Sequence, residues 1–332
     1  MRRQVDIQDL AAIVRRFPRR RVAVVGDVVV DEYIYGQTDR ISREAPVLIV
    51  RHESTERKLG GAANAAANLA RLGGTTIALG VIGDDEAGGG LARLCSEAGI
   101  DGRFTVVPGS PTETKTRILA GGINTTRQQM LRVDRSRGGD LPAASVAGLV
   151  ETLRAAAREA DVLIVSDYGG GVLCPGVVEE VRRLAADGVR ICVDSRYNLR
   201  AFRGVHVAKP NEPELAAATG MPVGETASSV AAARTLQDAL GCHAVLATRG
   251  RSGMALIEQG REPDLIPVHG QEEAVDVTGA GDTVIATLAM ALAADATLAQ
   301  AARLANVAGA LVVRKPGTAT IDADEILAEL QA

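Results

Sequence analysis

Short apolar runs rich in β-branched residues recur along the chain, and most end on a glycine or a polar side chain. "RVAVVG" opens the stretch 21–36 and stops at Gly26-Asp27. Similar runs sit within 75–100, 161–171, 189–196, 204–215 and 243–253. Runs of this kind are the pattern of strands buried on both faces. Helical segments lie between them: "GGAANAAANLARLG" (60–73), the segment that closes 75–100, and one reaching about Ala186. The alanines of 60–73 are too small for an ordinary amphipathic stripe and predict a helix packed very close to its neighbours. Strands alternating with helices predict an α/β fold, with a mostly parallel sheet covered on both faces.

Two stretches break the rhythm. Residues 33–51 and about 104–134 alternate β-formers with charges, which predicts a small exposed sheet, a lid over the strand ends. The longest apolar tract, Val284 to Val313, is interrupted by Asp295, Gln300 and Arg303. It is too broken to span a membrane and reads as two buried helices. No internal repeat or long linker appears, so one unit over 1–332 is expected. The strand ends carry Gly26-Asp27, Ser166-Asp167, Asp194, Lys209-Pro210-Asn211 and Thr248-Arg249-Gly250. Ligands of open α/β sheets bind beyond the carboxyl ends of the strands, so the polar residues collect where a site belongs.

Composition narrows the classes. Apolar residues make up 46% and charged residues 23%, ordinary values for a folded chain. A net charge of −4 supplies no global field for nucleic acid, and 2% aromatics leave few platforms for base stacking. The basic run "RRFPRRR" (15–21) reads most simply as a solvated helix end. Cys95, Cys174, Cys192 and Cys242 are scattered with no C-x-x-C, which fits a reducing compartment and suggests neither zinc nor a disulfide framework. The first 17 residues carry charge at both ends and no uninterrupted apolar core, so no signal peptide is expected there. A cytoplasmic location follows as the expectation, with neither membrane nor nucleic acid as partner.

The chemistry concentrates in "DVTGAGDT" (276–283), just before the apolar tract. Gly279 and Gly281 let backbone amides approach a ligand, and the helical composition that follows puts the N–H groups of Gly279, Ala280 and Gly281 at a helix N-terminus. Geometry and dipole together make that an anion site. Asp282 then stands beside a bound phosphate, an unfavourable place for an acid without a task. A carboxylate there can take the proton of a hydroxyl attacking a terminal phosphate. The plainer alternative is an N-cap with a glycine turn. No Walker lysine follows.

Together, "GGAANAAANLARLG" and "DVTGAGDT" resemble the two signatures of the ribokinase-like, or PfkB, carbohydrate kinases, and the resemblance runs from Val22 to about Ile321. It implies a three-layer α/β sandwich with a small β lid and ATP-dependent phosphorylation of a sugar hydroxyl. On this chain it makes Asp282 the base and Gly279, Ala280 and Gly281 the anion hole. Asp27, Asp31, Gly60, Gly61 and Asn64 would hold the sugar. "KPNEPEL" (209–215) is similar to an N-x-x-E element, in which Asn211 and Glu214 organise Mg²⁺ through water. Without the resemblance, that segment reads as a capped helix start. Thr248 and Gly250 would lie near the ATP phosphates, and Asn306 and Gly317 near the adenine. Asp276 and Thr278 would help hold a monovalent cation such as K⁺.

A narrower resemblance points to one branch. "GDVVVDEYIYGQTDRISREAPVLIV", "TKTRILA", "QQMLRVD" and "SDYGGGVL" are similar to segments of the kinases that convert D-glycero-β-D-manno-heptose 7-phosphate to the 1,7-bisphosphate for lipopolysaccharide precursors. Many of those are fused to a nucleotidylyltransferase; this chain ends at Ala332, so that activity is expected on another polypeptide. The existing phosphate needs its own cations, for which Arg40, Arg43, Lys115, Arg117 and Arg132 in the lid are the candidates. Two positions depart from the branch: Gly170 stands in place of a lysine, and Ser195 precedes Arg196 where "DPK" is usual. Arg196 replaces one lost charge, and a different or unphosphorylated sugar stays open. A nucleoside kinase would want aromatic stacking that the chain scarcely offers beyond Tyr33 and Tyr35. A non-catalytic sugar sensor would not need Asp282. A Rossmann dehydrogenase is set aside, since Gly26-Asp27 follows the first strand in place of G-x-G-x-x-G. The exposed lid sheet has edges to cover, and a homodimer through the lid is expected.

Overall fold

The computed structural model describes residues 6–122, 127–270 and 274–331. In chain order the strands are β1 (Arg21–Gly26), β2 (Val28–Ile41), β3 (Leu48–Gly61), β4 (Thr75–Gly83), β5 (Ile100–Val107), β6 (Thr114–Gly121) and β7 (Gln128–Arg135). There follow β8 (Val162–Asp167), β9 (Ile191–Ser195), β10 (Val207–Ala208), β11 (Ala244–Thr248), β12 (Met254–Glu258) and β13 (Asp264–Ile266). The helices are α1 (Ile7–Val14), α2 (Ala62–Arg71), α3 (Glu86–Glu97), α4 (Ala143–Glu159), α5 (Pro175–Ala186), α6 (Glu212–Thr219), α7 (Thr226–Leu240), α8 (Ala280–Ala293), α9 (Leu298–Val312) and α10 (Ala323–Gln331).

Nine strands form the central sheet, in the order β13-β12-β11-β10-β9-β8-β1-β4-β5. The seven from β11 to β5 are parallel, and β12 and β13 close one edge antiparallel. Successive side chains of a strand point to opposite faces. Val22 and Val24 of β1 therefore join an apolar cluster with α2, α8 and α9, while Ala23 and Val25 join another with α4, α5 and α7. The result is an α/β sandwich of three layers. α8 is buried continuously from Asp282 to Ala293, as a helix apolar on all sides must be. The alanines of α2 let it pack directly on α8, and Ala62, Ala63, Ala65 and Ala66 are buried. Among the described residues no helix is long and apolar enough to cross a membrane.

The second sheet has the order β3-β2-β6-β7. Its bounds differ from those the alternation suggested. β2 and β3 are long strands that start at Val28 and end at Gly61, so the lid reaches back to the central sheet and only Asp27 separates β1 from β2. Residues 104–107 are not in the lid; they finish β5, paired in parallel with β4. The charge-rich composition around 104 reflects an edge strand, which also leaves one side to solvent. Residues 123–126 of the expected lid segment fall outside the described residues.

Candidate active site

The carboxyl ends of β8, β9 and β10, the start of α8 and the base of the lid enclose a cavity of about 390 Å³. Asp31, Gly61, Asn64, Lys115, Arg117 and Arg132 line it from the first half of the chain. Asp167, Tyr168, Asp194, Arg196, Lys209, Asn211, Glu214, Thr278, Gly279, Gly281, Asp282 and Thr318 line it from the second.

Asp282 sits on the third residue of α8 and is only 3% exposed. Asn64 of α2 donates its Nδ2 to Oδ2 (2.7 Å), and the Tyr168 hydroxyl donates to Oδ1 (2.8 Å). Burial pushes the carboxyl from its ordinary 3.8 up to about 6, and the Asp194 charge adds to the rise; Asn64, Tyr168 and the Lys209 ammonium pull it down. That places it near the working range of a general base. Gly279 caps the helix with φ 78°, a left-handed conformation that suits glycine, and a Cβ there would lie 2.9 Å from Asn64 Nδ2. The three amides do not behave alike. Ala280 N–H turns back to the Val277 carbonyl (3.2 Å) and Ala280 lines no part of the cavity, whereas Gly279 and Gly281 line it.

Asp194, at the end of β9, pairs with Lys209 just beyond β10 (2.9 Å), and the lysine is 3% exposed. Burial works against that ammonium, but Asp194, together with Glu214 and Asp282, holds the pKa above the ordinary value. Asn211 and Glu214 build a full capping box on α6: Asn211 Oδ1 accepts from Glu214 N (2.9 Å), and Glu214 Oε2 accepts from Asn211 N (2.9 Å). The helix-start reading and the cavity reading thus hold at once, since both residues line the cavity. Burial, then the Asp194 charge, holds the Glu214 carboxyl above its ordinary value.

The residues expected to hold a sugar divide. Asp31, Gly61 and Asn64 line the cavity, with Asp31 paired to Arg117 (2.6 Å). Gly60 lies in the β2–β3 ladder opposite Val29 and does not line it. Asp27 is 1% exposed and also does not line it; its carboxylate accepts the N–H groups of Tyr168 (2.8 Å), Gly170 (3.0 Å) and Val172 (3.1 Å). Burial holds its carboxyl above the ordinary value despite those amides. It organises the loop after β8. A side chain at Gly170 would begin 2.9 Å from Asp27 Oδ1, so glycine there permits the close approach.

Of the lid cations, Lys115, Arg117 and Arg132 reach the cavity, and Arg196 joins them from beyond β9. Arg117 is engaged by Asp31 and Arg132 by Asp134. Lys115 and Arg196 form no ion pair among the described residues; each packs over the Tyr168 ring, at 5.3 Å and 5.1 Å from its centroid. Burial holds the Lys115 ammonium below its ordinary pKa. Arg40 and Arg43 are exposed at the far end of the lid, away from the cavity. Ser195 donates its hydroxyl to Asp167 (2.6 Å).

The residues expected on the nucleotide side, Thr248, Gly250, Asn306 and Gly317, do not line the cavity. Thr248 bridges to Asn211, and Gly250 opens a short 3₁₀ turn. Asn306 donates to the Pro267 carbonyl (2.8 Å). Asp276 accepts the N–H groups of Thr278 (2.9 Å) and Gly317 (2.9 Å), tying the loop before α8 to the turn after α9. Among the described residues no three His, Cys, Asp or Glu side chains cluster tightly enough to cage a metal. Tyr168, Asp167, Asp194 and Lys209 were not singled out as site residues from the sequence, though three of them stand at strand ends where polar residues had been noted.

The architecture is that of the ribokinase-like fold. Phosphofructokinase-2 from Escherichia coli, solved in complex with potassium, superposes with a TM-score of 0.77 at 19% identity over 94% of this chain and 99% of that one. Ribokinase from Arabidopsis thaliana, complexed with ribose and ATP, gives 0.73 at 22% identity over 94% and 99%. At those identities the likeness is one of fold. A family profile, pfkB family carbohydrate kinase, matches residues 19–325, and the chain belongs to that family. It is 42% identical over 328 residues to the bifunctional protein HldE of Paramagnetospirillum magneticum, covering 97% of this chain and 66% of that one. It is 42% identical over 323 residues to the bifunctional protein HldE of Caulobacter vibrioides, covering 96% and 65%. The chain thus spans just under two thirds of the length of these relatives.

Proposed function

We propose that the protein transfers the γ-phosphoryl group of ATP to a sugar hydroxyl, with D-glycero-β-D-manno-heptose 7-phosphate as acceptor and the 1,7-bisphosphate as product. The observation that carries the transfer is the buried Asp282 carboxylate at the start of α8, between two neutral donors and beside the Gly279 and Gly281 amides. The acceptor oxygen attacks the terminal phosphorus as the bond to the ADP oxygen breaks, and its proton passes to Asp282. The two amides stabilise charge on the moving phosphoryl group. Asp31 and Asn64 hold sugar hydroxyls.

Asp194 and Glu214 bring carboxylates to the cavity beside the buried ammonium of Lys209, and Glu214 with Asn211 would face a cation bound with the nucleotide. Both Glu214 oxygens already accept hydrogen bonds from Asn211, which fits a hydrated Mg²⁺ held through water. Mg²⁺ supplies charge neutralisation on the phosphates. K⁺ near the Asp276 loop belongs to the same proposal, as do Thr248, Gly250, Asn306 and Gly317 on the nucleotide side.

Two things support the heptose phosphate: the resemblance to that branch, and the free cations Lys115 and Arg196, which an incoming phosphate would neutralise. The uncharged Gly170 and Ser195 favour a second reading, an unphosphorylated sugar. ADP release with Mg²⁺ across a panel of heptose 7-phosphate, free heptose, ribose, fructose and fructose phosphates tests it. Strong preference for heptose 7-phosphate is expected. Activity on unphosphorylated sugars alone would remove the heptose phosphate and keep the kinase. A cytoplasmic enzyme that dimerises through the lid is also proposed. The exposed Leu131 and Val133 of β7 support the dimer, and light scattering after size exclusion tests it.

A further inference from the structure

Tyr168 follows directly on β8, inside the "SDYGGGVL" segment, where the sequence assigned it no role. Its backbone is fixed by the buried Asp27 carboxylate, which accepts its N–H and those of Gly170 and Val172. The Lys115 ammonium and the Arg196 guanidinium both pack over its ring, 5.3 Å and 5.1 Å from the centroid. Its hydroxyl ends 2.8 Å from Asp282 Oδ1. The backbone, the ring and the hydroxyl of this residue are thus each held by a separate contact, and the hydroxyl's partner is the carboxylate.

We infer that Tyr168 is a positioning residue for Asp282, its hydroxyl holding one oxygen of the carboxylate so that the other lone pairs meet the acceptor hydroxyl. Asn64 and Tyr168 each use one lone pair, on different oxygens, and a carboxylate has about four. Carboxylate rotation is therefore arrested from both sides while acceptor capacity remains. A hydroxyl donor also favours the ionised form, which burial and the Asp194 charge oppose. The charged groups facing this carboxylate are Asp194 from β9 and Lys209 from beyond β10; α2 presents the neutral Asn64, and Glu214 of α6 lines the same cavity.

The inference rests on Asp282 being the base of the proposed transfer, so its test reads the contact without turnover. Aspartate labelled with carbon-13 at the carboxyl is titrated in the whole protein, and the Asp282 signal is identified by its loss in Asp282→Asn. The expected midpoint is about 6 in the native protein, moving up by on the order of one pH unit in Tyr168→Phe. The acidic limb of kcat/KM moves the same way, and kcat at about pH 9, where the carboxylate is ionised in both proteins, falls by ~10-fold because its rotation is no longer arrested. An unmoved midpoint overturns the inference, whatever happens to kcat. If the phenylalanine variant does not fold, the native protein suffices. Labelled at the phenolic carbon, Tyr168 is expected to shift with the same midpoint as Asp282, and a Tyr168 signal flat through that range overturns it. A moved midpoint without any sugar turnover would count against the kinase reading alone.

Discussion

A carboxylate buried to 3% exposure beside a second acid is expensive to keep ionised, and at Asp282 the surroundings only partly offset that cost. The folded carboxyl titrates at about 6 against an ordinary 3.8. Its charge therefore opposes folding at pH values above the folded midpoint and is without effect below the unfolded one. Asp282→Asn is expected to raise the melting temperature at about pH 8 and to change it little near pH 4, as calorimetry at the two pH values would read. With Asp282 as the proposed base, the same titration sets the catalytic sign: a base works only when ionised, so kcat/KM is expected to fall as pH drops through about 6. Asp27 shows the opposite use of a buried acid. Its carboxylate meets three backbone amides and no part of the cavity, so it shapes a loop.

At the scale of elements, the start of α8 carries the amides proposed to face the phosphoryl group, and its geometry depends on one left-handed residue. Gly279→Ala puts a Cβ at φ 78° and 2.9 Å from Asn64 Nδ2. It is expected to cost about 1–2 kcal/mol of stability and to lower kcat more than it raises KM for ATP, as thermal melts and steady-state rates would show. On α6, Glu214→Gln keeps the capping box, since either residue can serve it, and removes a charge. The melting temperature should hold while the Mg²⁺ concentration for half-maximal rate rises several-fold; an unchanged Mg²⁺ requirement would exclude Glu214 from the cation's surroundings. Much of this was legible beforehand. The apolar runs gave the strands, and "DVTGAGDT" gave a glycine-led helix start with an acid in its first turn. The Asp194–Lys209 pair was not, because it joins the ends of β9 and β10 and needs the strand order. Tyr168 was not, because its direction is set by Asp27 across a loop. The sequence likewise cannot distinguish an acid that faces ligand from one that faces amides, which is why Asp27 read as a sugar ligand.

At the scale of the molecule, the chain leaves β1 for the lid across Asp27 alone, so lid and central sheet share the rim of one cavity. The lid contributes Lys115, Arg117 and Arg132, and the central sheet contributes Arg196. Arg117 and Arg132 are already engaged, which leaves Lys115 and Arg196 for an incoming anion. Replacing either by alanine is expected to raise KM for a phosphorylated sugar by ~10–100-fold and to leave KM for its unphosphorylated counterpart nearly unchanged. Equal effects on both sugars would mean the cations do not read the phosphate. The most direct measurement is phosphorus NMR of Mg·ATP with heptose 7-phosphate, run with the native protein and with Asp282→Asn. The expected result is a second sugar phosphate signal growing as the γ-phosphate of ATP disappears, slower by ~10²–10⁴-fold in the variant although ATP still binds. Loss of the γ-phosphate only to inorganic phosphate, or equal rates in the two proteins, would contradict sugar phosphorylation with Asp282 as the base.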